Sequence, residues 1–131
     1  MSTKKEEKVV LARLTKEQIL ALDDSKFEDV EVPEWKCLVR LKRLSGDERD
    51  QFEQICTSRR MGKDGSQVNV RGLKVALLQK CIVDEGGELM FTTEDVKALN
   101  EKSGKVLDDL FEAARQLNGI GEGEIEDAAK N

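Results

Sequence analysis

The side chains able to do chemistry in this chain are few, and none of them stands in a recognisable array. Cys37, Cys56 and Cys81 are three in number and well separated, with no CxxC pair. Their apolar neighbours predict buried free thiols rather than a metal site or a reactive nucleophile. Asp84, Glu85 and Glu88 crowd one turn, yet they lack the alternating oxygen ligands and the distal glutamate of a calcium loop. Glu85-Gly86-Gly87-Glu88 is too short for a phosphate cradle, and Met61-Gly62-Lys63-Asp64-Gly65, the other glycine-containing candidate for a phosphate loop, reads as a surface turn. Asp108-Asp109 falls on a helix beside basic residues and reads as solvated surface. The chain has no histidine at all, so the commonest general base and zinc ligand is missing. No catalytic, cofactor or metal site is expected, and the chain is read as a non-enzyme.

What remains is recognition, and charge distribution bears on it. The formal net charge is −5. Residues 1–35 hold 6 basic and 9 acidic side chains, residues 36–81 hold 11 and 5, and residues 82–131 hold 5 and 13. A basic middle thus lies between acidic flanks; it reads either as faces that neutralise one another on folding or as a candidate partner-binding surface. Overall acidity argues against a general nucleic-acid binder, which needs surplus positive charge to displace counterions. A regulator using Arg59, Arg60, Lys63 and Arg71 stays open as an alternative, although no aromatics interleave for base stacking. No apolar run approaches the roughly 20 residues that span a bilayer, and the mixed-charge N-terminus carries no export pattern.

The elements that would position a binding surface follow from periodicity and caps. Residues 1–13 read as a charged arm. Thr15-Lys16-Glu17-Gln18 is a capping box opening a short helix with Ile19, Leu20 and Leu22, ending near Asp23-Asp24; so short a helix needs a partner surface. Phe27 to Leu44 alternates like a β-hairpin around Pro33-Glu34, with Asp29 and Glu31 expected opposite Arg40 and Lys42. Trp35, the single tryptophan, lies near the turn. Ser45-Gly46-Asp47-Glu48 is a second capping box before a helix reaching about Thr57. Ser58–Gln67 reads as a loop. Val70, Leu73, Leu77 and Cys81 predict a central apolar helix. A tight turn at Asp84–Glu88 follows, then a short helix capped by Thr92. Ser103 caps the last helix, whose stripe of Leu107, Leu110, Phe111, Ala114 and Leu117 ends at Asn118-Gly119. The expectation is one α+β domain over 14–119, mainly helical with four to five helices and one N-terminal hairpin, followed by an acidic tail over 120–131.

The order of these segments carries a resemblance. Thr15-Lys16-Glu17-Gln18-Ile19-Leu20, then Val30-Glu31-Val32-Pro33-Glu34-Trp35, then Leu44-Ser45-Gly46-Asp47-Glu48 stand in the first half. Cys81-Ile82-Val83-Asp84-Glu85-Gly86-Gly87, Leu89-Met90-Phe91-Thr92-Thr93 and Leu110-Phe111-Glu112-Ala113-Ala114 follow. The succession, over roughly 15–119, resembles the tail assembly chaperones of long-tailed bacteriophages; the 59–69 loop is longer and more basic than that pattern. The resemblance implies a protein that binds the helical tape measure protein, keeps it soluble and helps recruit tail tube protein. It also implies action in the host cell cytoplasm and absence from the mature virion. A longer frameshifted product is a further implication, and Ala129-Lys130-Asn131 is compatible with a slippery codon run. Trp35, Arg40 and Lys42 of the hairpin and Leu110, Phe111 and Leu117 of the last helix are the candidate partner contacts, with ordinary core as the competing reading. Self-association stays open. The structural alternative is a head–tail connector or tail completion subunit.

Overall fold

The structure, a computed structural model, describes residues 11–61 and 72–121. Helix α1 (Lys16–Ala21) begins at the expected box: Gln18 N–H donates to Thr15 Oγ1 at 3.2 Å, and Thr15 N–H donates to Gln18 Oε1 at 2.9 Å. Its apolar side chains find no cover among the described residues. Ile19, Leu20 and Leu22 are all exposed, Leu20 by 75%. The cap, a term of about 1 kcal/mol, holds the helix where packing does not.

Strands β1 (Phe27–Val32) and β2 (Cys37–Lys42) form the hairpin. A 3₁₀ turn over Pro33–Trp35 joins them, with Pro at its start and Lys36 in the left-handed region at φ 56°. This connection sets Val32 opposite Cys37 and Asp29 opposite Arg40. Only one of the two expected cross-strand charge pairs therefore forms. Glu31 faces Leu38, Phe27 faces Lys42, and Lys42 turns to Glu48 at 2.6 Å. Alternation placed the charges on the outer face correctly; the turn decided the partners.

Helix α2 (Gly46–Met61) starts at the Ser45 box, where Glu48 N–H donates to Ser45 Oγ at 3.2 Å and Ser45 N–H to Glu48 Oε1 at 2.9 Å. It runs a turn past the expected end at Thr57, taking in Ser58–Met61, which the sequence placed in a loop. Helix α3 (Leu73–Cys81) is the centre of the domain, with Leu77, Leu78 and Cys81 fully enclosed. It packs on α2, on α4 (Val96–Leu99) and on α5 (Gly104–Leu117). Between α3 and α4, a two-residue strand β3 (Ile82–Val83) pairs antiparallel with Leu41 and Arg40. It turns the hairpin into a three-stranded sheet of order β1-β2-β3, and two residues are too few to show alternation in sequence.

The C-terminal end is tied down by polar contacts. Helix α5 closes in a Schellman arrangement: Ile120 N–H donates to Arg115 C=O, and Gly119, at φ 67°, donates to Gln116 C=O. Asn118, only 7% exposed, accepts the Leu44 N–H on Oδ1 at 2.7 Å. Arg43 and Arg49 donate to the carbonyls of Leu117 and Asn118. Ile120 is buried, so packing extends a residue past 119.

Candidate partner-binding cleft

Beside β2 lies an open cleft of about 640 Å³. Its lining takes in β2 from Cys37 to Arg40, and β3 with the turn at Asp84–Glu85. Trp35, Met90, Phe91 and Leu99 supply its apolar lining. Trp35 and Phe91 are half-buried and packed against the main core, whereas Met90 and Leu38 are exposed, Leu38 by 64%. The surface is mostly hydrocarbon, with Asp29, Arg40, Asp84, Glu85, Asp95 and Lys102 bringing charge to it, a composition suited to holding a partner.

Local chemistry explains why this lining stands. Asp84 Oδ1 accepts N–H bonds from Gly86 (2.9 Å) and Glu88 (3.0 Å), folding the turn that leads β3 away from β2. Gly87 adopts φ 86°, which favours glycine; the Phe27 ring would also meet a Cβ there at 3.4 Å. Buried Gln79 reaches from α3 and donates to Phe91 C=O at 2.9 Å, fixing the segment below the cleft. On the outer face Arg40 Nε lies 2.9 Å from Asp29 Oδ1. The hydrogen bond from Arg40 holds the Asp29 carboxyl below the usual carboxylate range.

The six residues singled out in sequence fall in three places. Trp35 and Arg40 are brought together in the cleft. Lys42 is directed to Glu48 instead; burial would push the Glu48 carboxyl up, but bonds from Lys42 and Ser45 bring it below its usual value. Leu110, Phe111 and Leu117 lie inside the domain, on the face of α5 that packs against α3. Lys74 Nζ stands 5.6 Å from the Phe111 ring centroid, partly covering it. Leu38, Met90, Phe91 and Leu99 join the cleft although none was singled out. Leu89-Met90-Phe91 was visible as a short apolar run, but nothing in sequence placed it beside Trp35.

The cysteines need a correction. Cys56 and Cys81 are buried as expected, while Cys37 is exposed because β2 begins at the turn, beyond the covered part of the sheet. Burial pushes the Cys81 thiol up to about 12, against the bond donated by Asn118 Nδ2 at 3.6 Å. Among the described residues no cluster of His, Cys, Asp and Glu is able to hold a metal ion. No helix among them is long and apolar enough to cross a membrane. The side chains of Arg59 and Arg60, residues 62–71 with Lys63 and Arg71, the 1–10 part of the arm and residues 122–131 lie outside the described residues.

The elements define a small, mainly helical α+β domain with an open apolar cleft beside its sheet. The sequence pattern of the phage tail assembly chaperone family matches residues 15–131, and the chain belongs to that family. Its fold is similar to the solved structure of the bacteriophage HK97 tail assembly chaperone. The TM-score is 0.56 at 19% identity, over 81% of this chain and 95% of that one. No curated protein sequence matches the chain. Membership points to a non-enzymatic role in tail assembly and implies partners among tail proteins.

Proposed function

We propose that this chain binds the tape measure protein during tail assembly, keeps it soluble and helps bring tail tube subunits to it. It would do so in the host cell cytoplasm and leave before the virion is complete. The supporting observation is the open apolar cleft at Trp35 in a family member of which 37% of the residues are charged. Long helical proteins expose apolar faces before assembly, and a groove that covers such residues while presenting a charged exterior opposes their aggregation. The reading needs no covalent chemistry.

A tagged copy expressed during phage growth tests it. Capture should recover the tape measure and tail tube proteins, and mass spectrometry of purified virions should not find the chain. Recovery of neither partner would sink the reading. Stoichiometric presence in the virion would favour a head–tail connector or tail completion protein.

A further inference from the structure

Among the described residues the sheet has two open edges, and they differ in chemistry. The outer edge belongs to β1, where Glu28, Asp29 and Glu31 are exposed acids that discourage another strand from pairing. The second open edge is the first half of β2. Strand β3 pairs only with Arg40 and Leu41, so Cys37, Leu38 and Val39 continue along the cleft with no strand beside them among the described residues. Their side chains carry no charge.

Backbone direction on this stretch follows from the ladder. Arg43 N–H donates to Lys26 C=O at 2.9 Å. Odd-numbered residues of β2 therefore aim their peptide groups at β1, and even-numbered ones aim theirs away. Arg40 uses that direction to meet Val83. Leu38 aims its N–H and C=O into the cleft, where β3 would have continued had the Asp84 turn not led it off.

We propose that the cleft binds an extended partner segment as an added β-strand alongside Leu38, the segment alternating apolar residues with lysine or arginine. Side chains on paired strands share faces, so the pattern is readable. The partner residue opposite Leu38 has its side chain on the outer face with Arg40. There Arg40 is paired with Asp29 and also reaches the Glu85 carbonyl at 3.4 Å, so that Asp29 and Glu85 together outnumber the one guanidinium. The partner residue's two neighbours point to the inner face, toward Trp35, Phe91 and Leu99. Basic residues thus suit the first position and apolar ones the second. Main-chain bonds supply affinity and the pockets supply selectivity. This rests on the tail-protein reading and deepens it by naming the recognition mode: the stretch held in the cleft is an extended segment of the tail protein, not one of its helices.

The probe is a capped nine-residue peptide of alternating lysine and valine, titrated into the full chain. Trp35, the single tryptophan, should change emission saturably, and hydrogen exchange at the Leu38 amide should slow. The same peptide N-methylated at its lysines, whose N–H groups face β2, should bind about tenfold more weakly. A glutamate–valine peptide should bind more weakly than the lysine–valine one, and Glu85→Lys should reverse that preference. Leu38→Pro should abolish binding; if it fails to fold, exchange at Leu38 in the unmodified chain still decides. The proposal falls if no saturable change occurs, or if N-methylation is without effect and Leu38 exchange is unchanged. It falls too if the chain alone forms an oligomer that Leu38→Pro dissolves, since the occupant is then a second copy. A failed titration with successful capture of tape measure and tube proteins would overturn the strand mode alone.

Discussion

Asn118 at the end of α5 accepts the backbone N–H of Leu44 at 2.7 Å, across 74 residues of chain. One amide side chain thereby joins the end of α5 to the exit of the sheet. Its Nδ2 also donates to Ala114 C=O at 3.0 Å, so both ends of the amide are used inside the protein. Replacement by alanine would leave the Leu44 donor buried without an acceptor, a loss of about 1–3 kcal/mol. Asn118→Ala should lower the urea midpoint accordingly, with an unchanged m-value. An unchanged midpoint would mean that water replaces the amide freely.

Residues of the cleft and residues of the core should separate cleanly by mutation. Leu110→Ala removes a fully enclosed side chain and should cost about 2–5 kcal/mol through lost burial and the cavity left behind. Leu38→Ala removes an exposed one and should change stability by less than about 0.5 kcal/mol. Partner capture should respond in the opposite order among variants that remain folded. Equal stability losses at both positions would contradict the placement of Leu38.

Acid should weaken the fold through its paired carboxylates. Glu48 and Asp29 have folded values below their ordinary ones of 4.5 and 3.8. A depressed value means that the folded state holds the charged form more strongly than the unfolded chain does. The resulting stability is present above the ordinary value and is lost as pH falls toward the folded value. Thermal midpoints should therefore drop below about pH 4.5, and Glu48→Gln should flatten part of that drop. A Glu48→Gln profile parallel to the unmodified one would remove Lys42–Glu48 from the account.

Thiol chemistry should distinguish the three cysteines. Cys37 is exposed, whereas Cys56 and Cys81 are buried. One equivalent of a thiol reagent should react rapidly with the folded protein, and all three in urea. Cys37→Ser should abolish the rapid phase. Rapid modification of Cys81 in the folded chain would conflict with its enclosure and its thiol value of about 12.

Much of the fold was legible because it depends on short-range chemistry. The boxes at Thr15 and Ser45, the cap at Ser103 and the stop at Gly119 each involve residues a turn apart, and all four occur. The stripe from Leu107 to Leu117 repeats at helical spacing, so its burial was readable too. The candidate site was legible only in part. Trp35 and Arg40 stood out by residue type and by strand charge. Phe91 and Leu99 did not, since only the packing of α3 and α4 brings them to β2.

The sequence by itself determined a charged, histidine-free α+β domain with its helix ends marked, and an order of segments that resembles one family. Those properties follow from composition and from contacts within a few residues. Only the tertiary structure decided which carboxylate meets Arg40, that Lys42 leaves the sheet face for Glu48, and that Cys37 is exposed. It also decided that β3 stops after two residues and leaves Leu38 facing an apolar cleft. Strand register and edge exposure depend on turns and on distant segments competing for the same backbone groups, and no local pattern encodes the outcome of that competition.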